Sequence, residues 1–519
     1  MEQEHAHGVW LRRRTALALG AAAAATSLLP RAARAASVVR QSVTGPNFPA
    51  ATLASYQRAI SAMLALPPTD PRNWYRQAIT HQIDCPHHNF WFLPWHRAYL
   101  YRLEAICREL SGDAAFALPF WDWTATPRIP NSLWDGVLDP GNSAYLADAD
   151  AFQTRFGDAV TAFWSGLDSD QRAWMQRRSY GSADDLLNDV LQSFATRAQA
   201  RSLTRQDPDL QNAVPAVALR SIEQILGISD FEDFGSAPAD SHDGGETEGA
   251  LESQPHDQVH GDINGFMGAF MSPIDPIFWL HHCNIDRLWT VWVARQTAAG
   301  LNPLPPNPDA WRNESFAFFV DQAGKPVTMK AGDVLATPDL GYTYEPASGS
   351  EAASQPLVAS LLPTPRVFAA TRVGNTLTAA NPSVSSIPLP RAVLQSTSPG
   401  QVIAQVTLAP PPDSRDVHFL VFVNAPDATI STPATDPHFA GGITPFGLHH
   451  HRGPVTFSIP IGATLARLAS LGQLPGDGIN IHVVAIRGAT ASALPPPAAL
   501  APNVNPLAGT VRAVQIKVR

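Results

Sequence analysis

Cysteine is scarce: the 519 residues contain three, Cys85, Cys107 and Cys283. That number cannot form a disulfide framework, so the fold must rest on its apolar cores and each cysteine needs its own explanation. An excess of positive charge is also missing. The 36 Lys and Arg against 45 Asp and Glu give a formal charge of −9, and no basic patch suggests nucleic acid or an anionic membrane as a partner. Long membrane-spanning runs are absent too. The apolar run TALALGAAAAATSLL (residues 15–29) is too short to cross a bilayer comfortably, and no internal repeat is present.

That run follows Arg12, Arg13 and Arg14 and precedes Ala33-Arg34-Ala35, a small-x-small cleavage pattern. Consecutive arginines before a weakly hydrophobic, alanine-rich stretch look like a twin-arginine signal, which exports folded and often cofactor-loaded proteins. Residues 1–35 are therefore expected to be a signal peptide directing the protein to the periplasm or outside; the alternative is an N-terminal helix retained in the mature chain. Removing them takes away five Arg and two Glu, shifts the formal charge from −9 to −12, and leaves no membrane anchor.

What is present is 45% apolar and 16% charged residues, which fits a soluble globular protein of two or three domains. Residues 36–345 hold most of the helical patterns and aromatics. Residues 346–365, PASGSEAASQPLVASLLPTP, are expected to be a linker. Residues 366–519 carry short β-branched runs between turn residues, such as QVIAQVTLAP and PVTFSIPIG, which predict an all-β, sandwich-like domain.

The first domain places histidines on four helical patterns. TDPRNWYRQAITH predicts a helix capped by Thr69 or Asp70, with Pro71 at its first position and His81 at its end. HRAYLYRLEAICREL predicts a helix from near His96, with Cys107 in its core stripe. PHDQVHG predicts a short helix carrying His256 and His260 one turn apart and stopped by Gly261. DPIFWLHHCNIDRLWTVW starts on Asp275 and Pro276 and aligns His282 with Phe278, Ile285 and Trp289. A lone His-x-x-x-His pair is common on helix surfaces. Two sets of histidines on aromatic helices point instead to a metal site between facing helices, because imidazole suits copper and zinc and a bundle core can hold a dimetal pair.

FLPWHRAYLYRLE (residues 92–104), ALPFWDWT (117–124) and DPIFWLHHCNIDRLW (275–289) resemble hallmark stretches of the tyrosinase family of type 3 copper proteins, which includes catechol oxidases and molluscan-type haemocyanins. The resemblance runs from about residue 40 to Tyr342-Thr343-Tyr344. It continues more loosely through VHFLVFVNAPDA (417–428) and the FAGG run (439–442), and is greatest to bacterial tyrosinases with a C-terminal domain. It implies a mainly α core in which a four-helix bundle holds a dicopper site, with the sandwich following.

By position, the resemblance implies that His81, His87 and His96 hold one copper and that His256, His260 and His282 hold the second. His88 is left unexplained, His281 becomes a supporting or packing residue, and Asp286 orients His282. It implies a thioether from Cys85 to His87, while Cys283 is read as packing. Glu252 is implied to hold a water that deprotonates monophenols. Ala269 stands where some relatives carry a bulky phenylalanine, so the entrance should be open. Asp257, where tyrosinases commonly have asparagine, would either accept a phenol proton or repel a substrate carboxylate. The expected cofactors are two copper ions with dioxygen as co-substrate, and the expected partners are small phenols; a homo-oligomer stays open.

The implied activity is monophenol hydroxylation and o-diphenol oxidation to o-quinones. The alternatives are a catechol or o-aminophenol oxidase, a haemocyanin-like oxygen carrier, or a dizinc hydrolase. The C-terminal domain is expected to cover the site through Phe446 or Leu448, with His449 to His451 either a copper-handling site or a polar loop, and cutting the linker is expected to raise activity.

Overall fold

The computed structural model describes residues 37–195, 200–357, 365–371, 373, 377, 382–394, 401–409, 417–446, 453–474, 476–487 and 509–519. The signal-peptide reading, Leu448 and His449 to His451 lie outside the described residues.

Local chemistry sets the helix starts differently from the sequence pattern. The first histidine helix is Trp74–Asp84, and its N-cap is Asn73, whose side chain accepts the Tyr75 N–H at 2.9 Å. Asp70 does not cap it: its carboxylate takes the Arg72 backbone N–H at 2.9 Å and the guanidinium at 2.7 and 3.0 Å, which closes a turn instead of a helix. The second histidine helix is Phe92–Ser111, starting before His96 because Pro94 falls in its first turn, where a missing N–H breaks no bond. Gly112 ends it at φ +68°. Helix Ile277–Ala298 opens after Asp275, whose carboxylate takes the Ile277 N–H at 3.0 Å.

The His256 segment is wound unusually. Glu252–His256 forms a π turn containing Pro255, and an α-helix, Asp257–Ile263, continues from it. Gly261 does not stop this helix. It is required because a Cβ there would come within 2.7 Å of the His418 and Thr444 side chains.

These helices pack through an aromatic core in which eight tryptophans are fully buried. Seven of their indole N–H groups find acceptors, Trp74 reaching the Ile274 carbonyl at 2.9 Å and Trp95 reaching Asp84 at 2.8 Å; that of Trp289 has none among the described residues. Strands Val38–Arg40 and Tyr342–Tyr344 pair in parallel and close one side of the bundle. Residues 346–357, the first part of the expected linker, pack on helix Ile277–Ala298. Arg287 donates to the Ser348 carbonyl at 2.9 Å, Arg295 to that of Pro356 at 3.1 Å, and Ala352 is buried.

The C-terminal region is β-rich rather than all-β, since a helix, Gly462–Ser470, and a short turn of helix, Arg391–Leu394, lie among its strands. One antiparallel sheet runs Phe439–Ile443, Val417–Val423, Gly478–Arg487, Ser383–Pro388 in spatial order. The other runs Thr247–Glu248, Val455–Pro460, Val402–Ala409, Thr510–Val518, Arg366–Ala369. The edge strand Thr247–Glu248 comes from the helical region and pairs in parallel, Thr247 with Thr456 and Glu248 with Phe457. The two regions therefore share a sheet. They are joined further by Lys517 to Asp233 at 2.7 Å and Arg519 to Asp233 at 2.6 Å, and by Gln254, which donates to the Gly442 carbonyl at 3.1 Å. A Cβ at Gly441 or Gly442 would meet the Gln254 or Gln258 amide at 2.7 or 2.6 Å, so the FAGG run is the surface on which the sandwich touches the His256 segment.

Candidate metal centre

Two histidine clusters face each other across the bundle. His81, His87 and His96 form one, and His256, His260, His281 and His282 the other. No ring is more than 6% exposed. The His96 and His282 rings stack with centroids 4.4 Å apart, and His87 lies 5.7 Å from His256.

Backbone carbonyls fix the tautomers. The Nδ1 of His81 donates to the Phe270 carbonyl at 2.6 Å, that of His96 to Phe92 at 2.8 Å, and that of His260 to Met267 at 2.5 Å. A carbonyl oxygen only accepts, so each Nδ1 carries the proton and each Nε2 presents a lone pair when the ring is neutral. Burial holds these rings neutral, pushing His96 and His260 down to about 3 and His81 well below its usual range. His81 Nε2 and His96 Nε2 then meet at 3.5 Å. His260 Nε2 and His282 Nε2 meet at 3.3 Å. The His81 and His96 lone pairs repel, and the buried Nε2 atoms of His87 and His256, with Nδ1 of His282, have no hydrogen-bond partner among the described residues. A cation between the nitrogens of each cluster removes both problems, and an all-imidazole donor set fits copper.

The structure separates the members of each adjacent pair. His88 adopts φ +61°, which turns its ring away from His87, and its Nδ1 lies 2.5 Å from the Glu248 carboxylate. His281 Nδ1 accepts the Trp123 indole N–H at 3.2 Å. An indole only donates, so the His281 proton is on Nε2 and that atom offers no lone pair.

Asp286 does not orient His282. Its carboxylate accepts Arg97 at 2.5 Å, Tyr342 at 2.7 Å and Tyr344 at 2.6 Å. Helical side chains lean toward the N-terminus, so the His282 ring lies over Phe278, 4.1 Å away, and a residue one turn later cannot reach it. Asp286 instead ties the Tyr342–Tyr344 strand to the bundle.

Three buried carboxyl groups lie beside the second cluster. Asp257 accepts the His256 Nδ1–H at 2.8 Å. Glu252 accepts the His88 N–H at 2.9 Å and the Ser236 hydroxyl at 2.5 Å. Glu248, which sequence reasoning passed over, holds His88; its place four residues before Glu252 was the available signal. Burial pushes Glu252 up to about 7, and burial with the neighbouring carboxylates pushes Glu248 and Asp257 well above their usual range. Like charges this close cannot all ionise. Asp257 is thus a holder of His256 rather than a free negative charge.

Cys85 Sγ lies 3.5 Å from His87 Nδ1, and Cys107 and Cys283 are buried in the core. Ala269 is half-buried. The neighbouring Phe270 ring stands edge-on to His87 at 5.2 Å. Phe446, buried and delivered by the sandwich, lies 4.2 Å from the His260 ring, 5.2 Å from His87 and 5.6 Å from His256.

The family description "Common central domain of tyrosinase" matches residues 69–295, and "Polyphenol oxidase middle domain" matches residues 306–356. Tyrosinase HcTyr1 of Hahella sp. (strain CCB-MM4) is 30% identical over 330 residues, covering 57% of this chain and 61% of that one. The tyrosinase of Streptomyces glaucescens is 31% identical over 242 residues, covering 44% of this chain and 75% of the relative. Other curated relatives are spanned over about half their length, 46% and 47%. The structure of latent apple tyrosinase superposes with a TM-score of 0.57 at 19% identity, covering 94% of this chain and 98% of that one, which shows a shared fold.

Proposed function

The chain belongs to the tyrosinase family, and from that premise we propose that it is a type 3 copper oxidase that uses dioxygen to hydroxylate monophenols and to oxidise o-diphenols to o-quinones. One copper is held by His81, His87 and His96 and the other by His256, His260 and His282. The observation that carries this reading is the pair of enclosed, neutral all-imidazole clusters, in which the unprotonated Nε2 atoms of His81 and His96 meet at 3.5 Å and the unprotonated Nε2 of His260 lies 3.3 Å from His282 Nε2. Two bound copper ions supply the electron transfer between dioxygen and the phenol.

The chain's own residues do the rest. The carbonyls of Phe270, Phe92 and Met267, with the Asp257 carboxylate, hold four rings with their lone pairs inward. Cys85 forms a thioether that fixes His87, its S–H and a His87 ring C–H giving way to an S–C bond while dioxygen takes up the two electrons and two protons; the position of its Sγ supports this, and an intact mass lighter by two hydrogens checks it. Glu252, held near 7, receives the phenol proton through water, and a base poised near the working pH suits that task. Phe446 covers the site and keeps the enzyme latent. Residues 1–35 export the folded chain; replacing Arg12 and Arg13 by lysine retains it inside the cell.

The test is oxygen uptake by copper-loaded Phe446→Ala protein on a neutral monophenol primed with trace catechol. Uptake well beyond the primer supports the full reading. Uptake limited to the catechol removes the hydroxylation step and leaves an o-diphenol oxidase. No uptake by protein containing two coppers overturns the oxidase reading.

A further inference from the structure

A cavity lies outside the metal centre, on the opposite face of the helix that carries His81. On Trp74–Asp84, residues 76, 79, 80 and 83 share one face while 77, 78 and 81 share the other. The first face, together with helix Ala149–Gly166 and strand Ser315–Val320, encloses about 280 Å³. That volume is at the small end of ligand sites. Its walls are mostly apolar, including Ile79, Ile83 and Phe318, and none of its sixteen lining residues is acidic.

Arg76 is the one cation in this lining. Its guanidinium carbon sits 4.5 Å from the centroid of the Phe163 ring, and no acceptor among the described residues takes its N–H groups. Arg76 is half-buried, and that burial, with no compensating anion, pushes the guanidinium down to about 10. Buried arginines elsewhere in the chain have acceptors: Arg97 has Asp286 at 2.5 Å, Arg201 has Asp275 at 2.6 Å, and Arg287 has the Ser348 carbonyl at 2.9 Å. Arg76 has an aromatic face and an open donor edge instead.

We propose that this cavity binds a small organic monocarboxylate with an apolar body, its carboxylate on Arg76 and its hydrocarbon part against the aromatic and aliphatic walls. A guanidinium matches the two oxygens of a carboxylate as parallel N–H donors. A phosphate dianion fits less well, since the lining offers no second cation and the apolar walls would strip its hydration. Two aromatic layers separate the cavity from the metal centre: the Phe319 ring lies 5.3 Å from Trp95 and 6.0 Å from Tyr99, which lie 5.8 and 6.1 Å from His81. The site is therefore distinct from the one that faces the phenol, and it does not depend on the oxidase reading.

The experiment is isothermal titration of the full-length, copper-loaded protein with 3-phenylpropanoate, and with 3-phenylpropanamide as its neutral counterpart. Saturable binding of the carboxylate is expected, weakened by about tenfold or more in Arg76→Met and for the amide. Ala162→Phe fills the cavity from its exposed rim without touching Arg76, and should abolish binding while leaving the melting temperature unchanged; it decides the matter if Arg76→Met fails to fold. Absence of saturable binding overturns the proposal. So does an affinity that neither substitution changes, which would place the carboxylate at the metal centre.

Discussion

The helical region and the sandwich bury different things. Among the described residues, every fully buried Asp, Glu or Arg lies before residue 366, and the buried side chains of residues 366–519 include none. The sandwich interior is instead a cluster of Val, Leu, Ile, Ala and Phe, such as Val421, Ile459 and Val514. Apolar burial is tolerant of detail, whereas buried charge and orphaned imidazole are costly unless something completes them. The chemistry is therefore in the helical region, and the sandwich acts as a rigid frame that delivers one side chain, Phe446, to it.

The contrast breaks most sharply at a ligand. His256→Ala should lower bound copper from two ions to about one per chain and reduce oxygen uptake by orders of magnitude, while Val421→Ala in the sandwich should lower stability with copper content unchanged. Metal analysis beside thermal melts separates the two outcomes.

Removing the delivered side chain comes next. Phe446→Ala should raise the catechol rate of intact protein by about tenfold, equivalent to ~1.4 kcal/mol of lost obstruction. Steady-state rates of the uncleaved variant check it, and an unchanged rate would make the sandwich a bystander.

The buried carboxyl group gives a smaller, pH-dependent effect. Glu252 is raised from 4.5 to about 7 in the native state, so its basic form grows as pH rises through about 7. Monophenol turnover in the Phe446→Ala background should climb across that range, and Glu252→Gln should flatten the climb without altering the diphenol profile. Stability runs the other way. Between pH 4.5 and about 7 the native state keeps a proton that the unfolded chain has lost, so stability falls as pH rises through this window, and Glu252→Gln should reduce that slope in urea midpoints.

Cleavage between residues 358 and 364 should have the smallest effect, a rate change below about twofold. The shared sheet and the Lys517 and Arg519 pairs with Asp233 hold the cover in place whether or not the chain is continuous. Cleavage combined with Asp233→Asn should release it. Size-exclusion chromatography after cleavage distinguishes a retained cover from a lost one.

Much of the centre was legible because helical spacing is periodic: His256 and His260 one turn apart, and His282 in line with Phe278, follow from the repeat alone. Helix starts were less legible, since whether Asp70 or Asn73 caps depends on which side chain Arg72 captures. The division of labour within His87-His88 turned on a single backbone angle, φ +61° at His88, that no residue pattern encodes. Asp286 was misread because spacing gives the face of a helix but not the direction in which its side chains lean.

By itself the sequence determined the helical metal core and the β-rich unit after it, because residue type and period are local properties, while the six histidines proposed to hold metal were singled out by the family resemblance. Only the tertiary structure decided that strand Thr247–Glu248 completes the sandwich, that Glu248 holds His88, and that Phe446 lies over the histidine rings. Those contacts join residues far apart in the chain, and they arise from how two separately packed regions meet.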